Sequence, residues 1–173
     1  DVTSTTYTFS GMPQTVTHTH NNGGTASLTE VYAYTYDHAN RLTKVEHTLD
    51  GAKVTLASYT YDDFGRLKSK SLHGSATNKL EYMYNLRGGL TGITGNKLSQ
   101  ALLYETSLGT PAYNGNISSM VWQAGDETAI RGYNFSYDGL DRLTTAAYHE
   151  NLIEINDHFT EKVTGYDKNG NIL

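Results

Sequence analysis

A motif of nine residues recurs along the chain and constrains its fold more than any other feature. Two tyrosines stand two residues apart, an aspartate follows them, and an arginine and a leucine come four and five residues after the aspartate. The well-formed copies are 34–42, 59–67, 82–90 and 135–143, of which the third has Asn85 and Gly89 for the aspartate and arginine and the fourth begins with Phe135; a shortened copy lies at 166–172. Asp37 and Asp62 hold the same position 25 residues apart. Such regular repetition predicts an array of one small structural unit.

Each motif position has a physical reason in a β-hairpin. The two tyrosines share one face of a strand, and the aspartate can accept hydrogen bonds from backbone N–H groups of the turn. Asn40, Gly65 or Gly88 comes three residues later, and these residue types tolerate a left-handed backbone. We expect the arginine on the solvent side and the leucine at the start of a return strand. The residues with an expected structural role are Tyr34, Tyr36, Asp37, Arg41, Leu42, Tyr59, Tyr61, Asp62, Gly65, Arg66, Leu67, Tyr82, Tyr84, Gly88, Leu90, Tyr137, Asp138, Arg142, Leu143, Tyr166, Asp167 and Gly170.

The segments between the motifs predict the opposite turns of a meander. Asp50-Gly51 lies between alternating runs and is a strong hairpin signal. Similar signals occur at 21–24, 73–75, 95–96 and 125–126. We expect an all-β chain whose antiparallel strands form a curved, open, shell-like sheet, because a sheet of thirteen or fourteen strands coils under its own twist. The predicted strands are 3–9, 14–20, 26–36, 41–49, 52–61, 66–72, 79–84, 89–93, 98–105, 116–124, 128–137, 142–149 and 158–166.

Residues 1–173 are expected to form a single array of about six repeats, without a helix longer than about one turn. Two copies look degraded. The first opens as Tyr7-Thr8-Phe9-Ser10 and has Met12-Pro13 where the turn should be. The second, at 113–117, keeps only the second half of the motif.

Composition excludes several classes of function. The net charge of −5 argues against nucleic-acid binding, which rests on clustered lysine and arginine. The chain has no cysteine, so it has no disulfide framework and no zinc–thiolate site. No apolar run approaches the roughly 20 residues of a membrane helix, and we expect no membrane insertion.

The motif at this spacing resembles the YD repeats of RHS proteins. The stretch 113–117 followed by Trp122, and the stretch 133–143, resemble RHS proteins of Bacteroidetes-like bacteria. The resemblance covers nearly the whole chain. It implies a large secreted or cell-surface bacterial protein, in which such hairpins form a shell that encloses a toxin domain or presents a surface for cell contact. The implied partners are the flanking repeats, an enclosed effector domain, a surface glycan or a partner protein.

The chain departs from the family in one respect, and this limits the activities that the resemblance implies. Self-cleaving relatives have a Pro…Asp-Pro-x-Gly motif, whereas Pro13 and Pro111 of this chain have no aspartate before them. The sequence also contains no Gly-x-Ser-x-Gly elbow and no phosphate-binding glycine loop. Its aspartates recur with the turns, as structural caps do. We therefore expect no enzymatic activity and no cofactor.

Two stretches of the sequence have a residue spacing similar to that of a metal site. His18 and His20 share a strand face, but no third ligand can be named, so two half-exposed polar residues beside a turn are favoured. The run from Asp167 to Asn171 resembles an EF-hand loop only superficially, because its glycine falls at the fourth position and not the sixth.

Trp122, the only tryptophan, is the best single candidate for a ligand contact, since aromatic rings stack on sugars. The alternative is that Trp122 packs against the irregular turn at 111–116. Two classes of function thus remain open, a structural scaffold and a binding module for a glycan or a protein.

A sheet of this kind has two open edges, which we place near 2–9 and 163–166. Unpaired edges are templates for another strand. The N-terminal edge has no charge or proline between Thr3 and Phe9, so it predicts edge-to-edge association that Thr6→Lys weakens.

Overall fold

The chain is built from antiparallel β-strands. The computed structural model describes residues 1–21, 23–24, 27–105, 108–155 and 158–173, which fall into two compact units, Asp1–Glu81 and Tyr82–Leu173. Within these residues the helical structure is a single 3-10 turn at Ala76–Asn78. The predicted all-β antiparallel meander is confirmed. The curvature of the sheet and the single array stay predictions.

The first unit is a meander in which each strand pairs with the next along the chain. Its strands are β1 (Val2–Tyr7), β2 (Pro13–Asn21), β3 (Ser27–Tyr36), β4 (Leu42–Leu49), β5 (Ala52–Tyr61), β6 (Leu67–Leu72) and the start of β7 (Lys79–Tyr84). The register places Thr17 opposite Val31 and Tyr34 opposite Val45. The strand bounds agree with the predicted segments to within a few residues.

The second unit continues the same order from the end of β7. Its further strands are β8 (Leu90–Gly95), β9 (Leu98–Leu103), β10 (Ser119–Ala124), β11 (Arg131–Tyr137), β12 (Leu143–Glu150), β13 (Ile153–Glu154) and β14 (Glu161–Lys162). Both short strands pair with β12, β13 near its end and β14 near its start.

The predicted strand 158–166 was wrong in extent, and β13 was not predicted. The chain turns back after β12 at Asn151 and Leu152, whose φ angles are 51° and 65°. A turn with two left-handed residues usually carries glycine, so a leucine at that position gave no signal in the sequence. By contrast, Asp50 and Gly51 have φ angles of 45° and 84° and form the predicted turn. Of the predicted turn 21–24, Asn22 lies outside the described residues.

Few side chains are deeply buried. Among the described residues, the buried apolar side chains are those of Ala57, Ala146 and Tyr148. The motif tyrosines are half-buried while the residue between them, such as Thr35, is exposed. The tyrosines therefore occupy the more protected face of their strands. Because few side chains are deeply buried, strand pairing and contacts of the half-buried tyrosines stabilise the sheet.

Candidate functional site

The motif turns share one backbone geometry. In the 34–42 copy, the Asp37 N–H donates to the Arg41 carbonyl and the Asn40 N–H donates to the Asp37 carbonyl, both at 3.0 Å. Asn40 is left-handed (φ 58°), and the strand register shifts between Thr35 and Tyr36. This is a type I turn followed by a bulge, a common hairpin connection. The same two backbone bonds recur in the turns that begin at Thr8, Asp62, Asn85, Asp138 and Asp167.

The aspartate of the motif caps its own turn. The backbone N–H groups of Ala39 and Arg41 donate to Asp37 Oδ1 at 2.9 and 3.0 Å, and Arg41 Nε donates to Oδ2 at 2.7 Å. The backbone bond from Arg41 is the largest cause that holds the pKa of Asp37 below its ordinary value. Asp62 and Asp138 accept the equivalent bonds. The predicted capping by these three aspartates is confirmed.

The second tyrosine of a motif bonds to the preceding hairpin. The Tyr61 hydroxyl donates to the Leu42 carbonyl at 2.8 Å, and Leu42 is the leucine of the previous motif. Burial raises the pKa of Tyr61, as expected for a phenol that leaves water. We call this the tyrosine–carbonyl contact. It also joins Tyr36 to Pro13 (2.9 Å), Tyr104 to Leu90 (2.8 Å), Tyr137 to Ile117 (2.7 Å) and Tyr166 to Leu143 (2.5 Å).

The arginine of the motif also contacts the following repeat. Arg41 Cζ lies 4.6 Å from the centre of the Tyr61 ring, and Arg142 Cζ lies 4.3 Å from that of Tyr166. The Arg41 and Arg142 side chains are only 29% and 32% exposed. The expectation that the arginines lie on the solvent side was therefore wrong, because a planar guanidinium stacks on an aromatic ring while it pairs with a carboxylate.

The first copy of the motif is less degraded than the sequence indicated. Thr8 takes the aspartate position: its N–H bonds to the Met12 carbonyl at 2.8 Å, and its Oγ1 accepts from the Met12 N–H at 3.1 Å. Gly11 supplies the left-handed residue (φ 81°). The turn thus lies two residues earlier than predicted, and Tyr7 stands where the second tyrosine of the motif belongs.

The other degraded copy is interrupted. Its tyrosine–carbonyl contact comes from Tyr104, which the sequence did not single out, whereas Tyr113 is 69% exposed. The Ala112 N–H donates to the Tyr104 carbonyl at 2.7 Å, so the chain that follows Tyr104 returns to the same strand end. The turn then closes with the Asn116 N–H on Asn114 Oδ1. We call 104–117 the interrupted repeat.

Trp122 belongs to a row of rings. Its ring stacks on Tyr133 with centroids 5.8 Å apart, and Tyr133 stacks on Phe135 at 6.3 Å. Tyr148 meets Tyr133 edge-on at 5.5 Å. Trp122 is half-buried, and its closest aromatic partner lies on β11, not in the turn at 111–116.

The other face of the same strands carries a small cluster of polar residues, of which Ser119 and His149 are buried. Ser119 lies directly opposite Asn134, and His149 lies opposite Gly132. His149 is 2% exposed, and burial lowers its pKa. A Cβ atom at position 132 would lie 2.3 Å from His149 Cε1, so only glycine fits there. Neither sequence spacing nor the motif indicated this cluster.

The histidines considered as metal ligands make other contacts. His18 Nδ1 lies 3.0 Å from Thr3 Oγ1, and His20 Nδ1 lies 3.2 Å from Asp1 Oδ1. The Asp167 carboxylate is occupied by the backbone and side chain of its own turn. In the part of the chain that the structure describes, no group of three His, Cys, Asp or Glu residues is arranged to hold a metal.

Glu30 joins two ring systems in the first unit. The Tyr32 hydroxyl donates to Glu30 Oε1 at 2.8 Å, and His47 Nε2 lies 2.8 Å from the same oxygen. The bond from Tyr32 is the largest cause that lowers the pKa of Glu30. Tyr32 and His47 therefore share one carboxylate oxygen of Glu30.

The described residues of the second unit line at least two open clefts. The larger, of about 470 Å³, is lined by Asn85, Leu86, Arg87, Thr91, Leu102, Leu103, Tyr104 and Glu105. The smaller, of about 330 Å³, lies beside the turn that contains Pro111 and Tyr113. The side chains that line the larger cleft include an Arg87–Glu105 pair 3.6 Å apart, which is a weak exposed ion pair.

The fold and the repeated contacts define an all-β protein of antiparallel hairpin repeats. No protein-family model matches this chain, and no curated protein sequence matches it. Among the described residues, no helix is long and apolar enough to span a membrane.

Proposed function

We propose that this chain is a non-catalytic structural module of a large RHS protein that a bacterium secretes or displays on its surface. In this proposal, its YD hairpins form part of a β-shell that encloses or presents another domain. Its partners are the flanking repeats of the parent chain and an enclosed effector domain.

The tyrosine–carbonyl contact is the observation that carries the proposal. At least five tyrosines of the described residues donate to a carbonyl of the preceding hairpin. Each such bond ties one repeat to the one before it, so the motif residues are used to assemble repeats. A catalytic carboxylate needs a perturbed pKa and access to a substrate. In the motif, by contrast, both carboxylate oxygens of Asp37 accept hydrogen bonds from its own turn.

Deletion of repeats tests the proposal. Removing residues 42–66 deletes one whole repeat, joins Arg41 to Leu67 and regenerates a motif. Removing 42–54 deletes half a repeat and reverses the direction of every later strand. A structural module keeps a cooperative unfolding transition and a β-sheet circular dichroism spectrum after the first deletion and loses both after the second. Equal damage from the two deletions would contradict modular assembly.

The row of rings at Trp122 favours a second candidate, a glycan-binding surface. Tyr133 and Phe135 extend the row, and such rings can stack on a sugar. The test is a glycan array with the wild-type chain and with Trp122→Ala. A glycan that binds the wild type and not Trp122→Ala would support a binding module, and a scaffold predicts no selective ligand.

A further inference from the structure

The third motif lacks the arginine that other copies place between two hairpins. Arg41 pairs with Asp37 of its own turn and lies over the Tyr61 ring of the following repeat. Arg142 makes the equivalent two contacts in the second unit. The third motif has Gly89 at this position, so the chain supplies no side chain there.

The backbone of the third motif nevertheless keeps the regular geometry. The Asn85 N–H donates to the Gly89 carbonyl at 2.9 Å, and the Gly89 N–H donates to Asn85 Oδ1 at 2.8 Å. The Tyr104 hydroxyl donates to the Leu90 carbonyl at 2.8 Å, which is the tyrosine–carbonyl contact. Asn85 and Tyr104 are therefore the counterparts of the two residues that the arginine contacts in a regular repeat.

An open cleft lies where the arginine of a regular repeat would be. The cleft of about 470 Å³ in the second unit is lined by both counterparts, Asn85 and Tyr104. In the part of the chain that the structure describes, no cation lies over the Tyr104 ring. Leu86, Leu102 and Leu103 supply apolar walls, against which the methylene groups of a long cationic side chain can pack.

Two side chains of opposite charge line the same cleft. Glu105 follows Tyr104 in the chain, and its Oε1 lies 3.6 Å from Arg87 Nη1. Arg87 Nη1 also donates to the Tyr113 carbonyl at 3.3 Å. An exposed ion pair of this length contributes little, so an incoming guanidinium can replace Arg87 as the partner of Glu105. Glu105 then supplies the carboxylate that the regular repeat has and Asn85 lacks.

We propose that this cleft binds an arginine side chain of a partner polypeptide, stacked on the Tyr104 ring and paired with Glu105. The occupant is inferred from the chain itself, because Arg41 and Arg142 make the corresponding contacts in their own repeats. A planar guanidinium can stack on a ring and pair with a carboxylate at once. One stack and one exposed pair give a weak complex, with a Kd on the order of 1 mM. The site needs only the fold of the second unit and does not depend on the shell function.

A titration followed by NMR tests the site. The probe is a short blocked peptide with a single arginine among alanines, and it should shift the amide signals of Gly88 and Gly89, in the turn beside the cleft. The signal of Gly51, in the first unit, is the control and should not move. The same peptide with lysine in place of arginine, and methylguanidinium, should each bind several-fold more weakly, because the first lacks the planar group and the second lacks the aliphatic stem.

Variants of the charged lining residues give opposite expectations. Glu105→Gln should weaken peptide binding about threefold or more, because it removes the carboxylate partner. Arg87→Ala should strengthen binding, because it removes the competing cation. Glu127→Gln is the matched control, since Glu127 pairs with Arg131 outside the cleft, and it should leave binding unchanged.

Restoring the missing arginine should close the site. Asn85→Asp combined with Gly89→Arg rebuilds the regular motif, and the chain's own guanidinium should then lower peptide affinity at least about tenfold. A Cβ atom at position 89 would lie 3.2 Å from the Tyr104 hydroxyl oxygen, so a circular dichroism spectrum checks the fold of this variant. No shift with the arginine peptide, equal binding of the lysine peptide, or unchanged binding by Glu105→Gln would overturn the proposal. Methylguanidinium that binds as tightly as the arginine peptide would overturn the assignment to a polypeptide.

Discussion

The regular repeat at 34–42 and the interrupted repeat at 104–117 make the same contact by different routes. In the regular repeat, six residues after Tyr36 complete the turn and place the Leu42 carbonyl under Tyr61. In the interrupted repeat, Ile117 lies thirteen positions after Tyr104, yet the Ile117 carbonyl still accepts from Tyr137 at 2.7 Å. The contact needs correctly placed strand ends and does not need an intact motif.

The two repeats also differ in what surrounds the contact. The Arg41 guanidinium lies over the Tyr61 ring and forms an ion pair with Asp37. In the interrupted repeat, Asn116 stands at the position that Arg41 has in the regular repeat. Its side-chain Nδ2 donates to the Asp141 carbonyl, in the next motif turn, at 3.3 Å. The tyrosine–carbonyl contact is therefore shared, and the Asp–Arg pair is an addition that the regular repeat has and the interrupted one lacks.

Removing the whole ring should have the largest effect. Tyr61→Ala and Tyr104→Ala are each expected to lower the free energy of unfolding by about 2–3 kcal/mol, below the roughly 3–5 kcal/mol of a fully buried aromatic because both rings are half-buried. Tyr113→Ala is the control and should cost less than about 0.5 kcal/mol, since its ring is mostly exposed. Urea melts of the three variants measure this. A small effect at Tyr104 alone would mean that the interrupted repeat is not a true repeat.

Removing only the hydroxyl isolates the shared contact. Tyr61→Phe and Tyr104→Phe each leave a carbonyl without its donor and should cost about 1 kcal/mol. Tyr113→Phe should cost nothing measurable. Similar losses at 61 and 104 would support one common contact, and a difference of more than about 1 kcal/mol would show that the two repeats are held by different forces.

Replacing Arg41 tests its contact with the Tyr61 ring, which has no counterpart in the interrupted repeat. Arg41→Lys keeps a positive charge but loses the planar stack on Tyr61, and the expected loss is about 0.5–1 kcal/mol. Arg87→Lys is the control, because the Arg87 side chain is 69% exposed. A double-mutant cycle with Tyr61→Leu gives the coupling energy directly. Zero coupling would contradict a stabilising contact between Arg41 and Tyr61.

Acidification should destabilise the surroundings of His149 and the motif turns at different pH values, and we expect no effect on either at neutral pH. Burial keeps His149 neutral in the folded state, so the unfolded state binds the proton more readily below its ordinary pKa of 6.5. Stability is thus complete above that pH and falls as the pH drops below it. Glu154, opposite His149 on β13, opposes the shift, and Gly132 and Asn134 on β11 carry no charge.

The capped aspartates respond at lower pH. The pKa values of Asp37 and Asp138 are lowered in the fold, so their stabilisation is complete above the ordinary value of 3.8 and is lost as the pH falls through the lower folded value. Hydrogen exchange followed against pH should show loss of protection around β12 first and around the motif turns later. His149→Leu should remove the first step only. A single step in the wild type would contradict the separate windows.

Much of the fold could be predicted from residue types alone. Asp50-Gly51 and the Asp37–Asn40 turn were recognised because aspartate, asparagine and glycine have known turn preferences. The turn at Asn151 and Leu152 was missed because leucine rarely adopts a positive φ, and the neighbouring strands impose it. Thr8 was missed because a hydroxyl can replace a carboxylate as a cap only when the turn already brings the Met12 N–H to it.

The sequence by itself determined the antiparallel meander, that the two tyrosines of a motif share one face of their strand, and the capping role of the aspartates, because these depend on residues close together in the chain. Only the tertiary structure decided which carbonyl each tyrosine meets, that Arg41 covers Tyr61, and that His149 lies buried over Gly132. Those contacts join residues about 20 positions apart, and their partners are fixed by strand register, which no single motif contains.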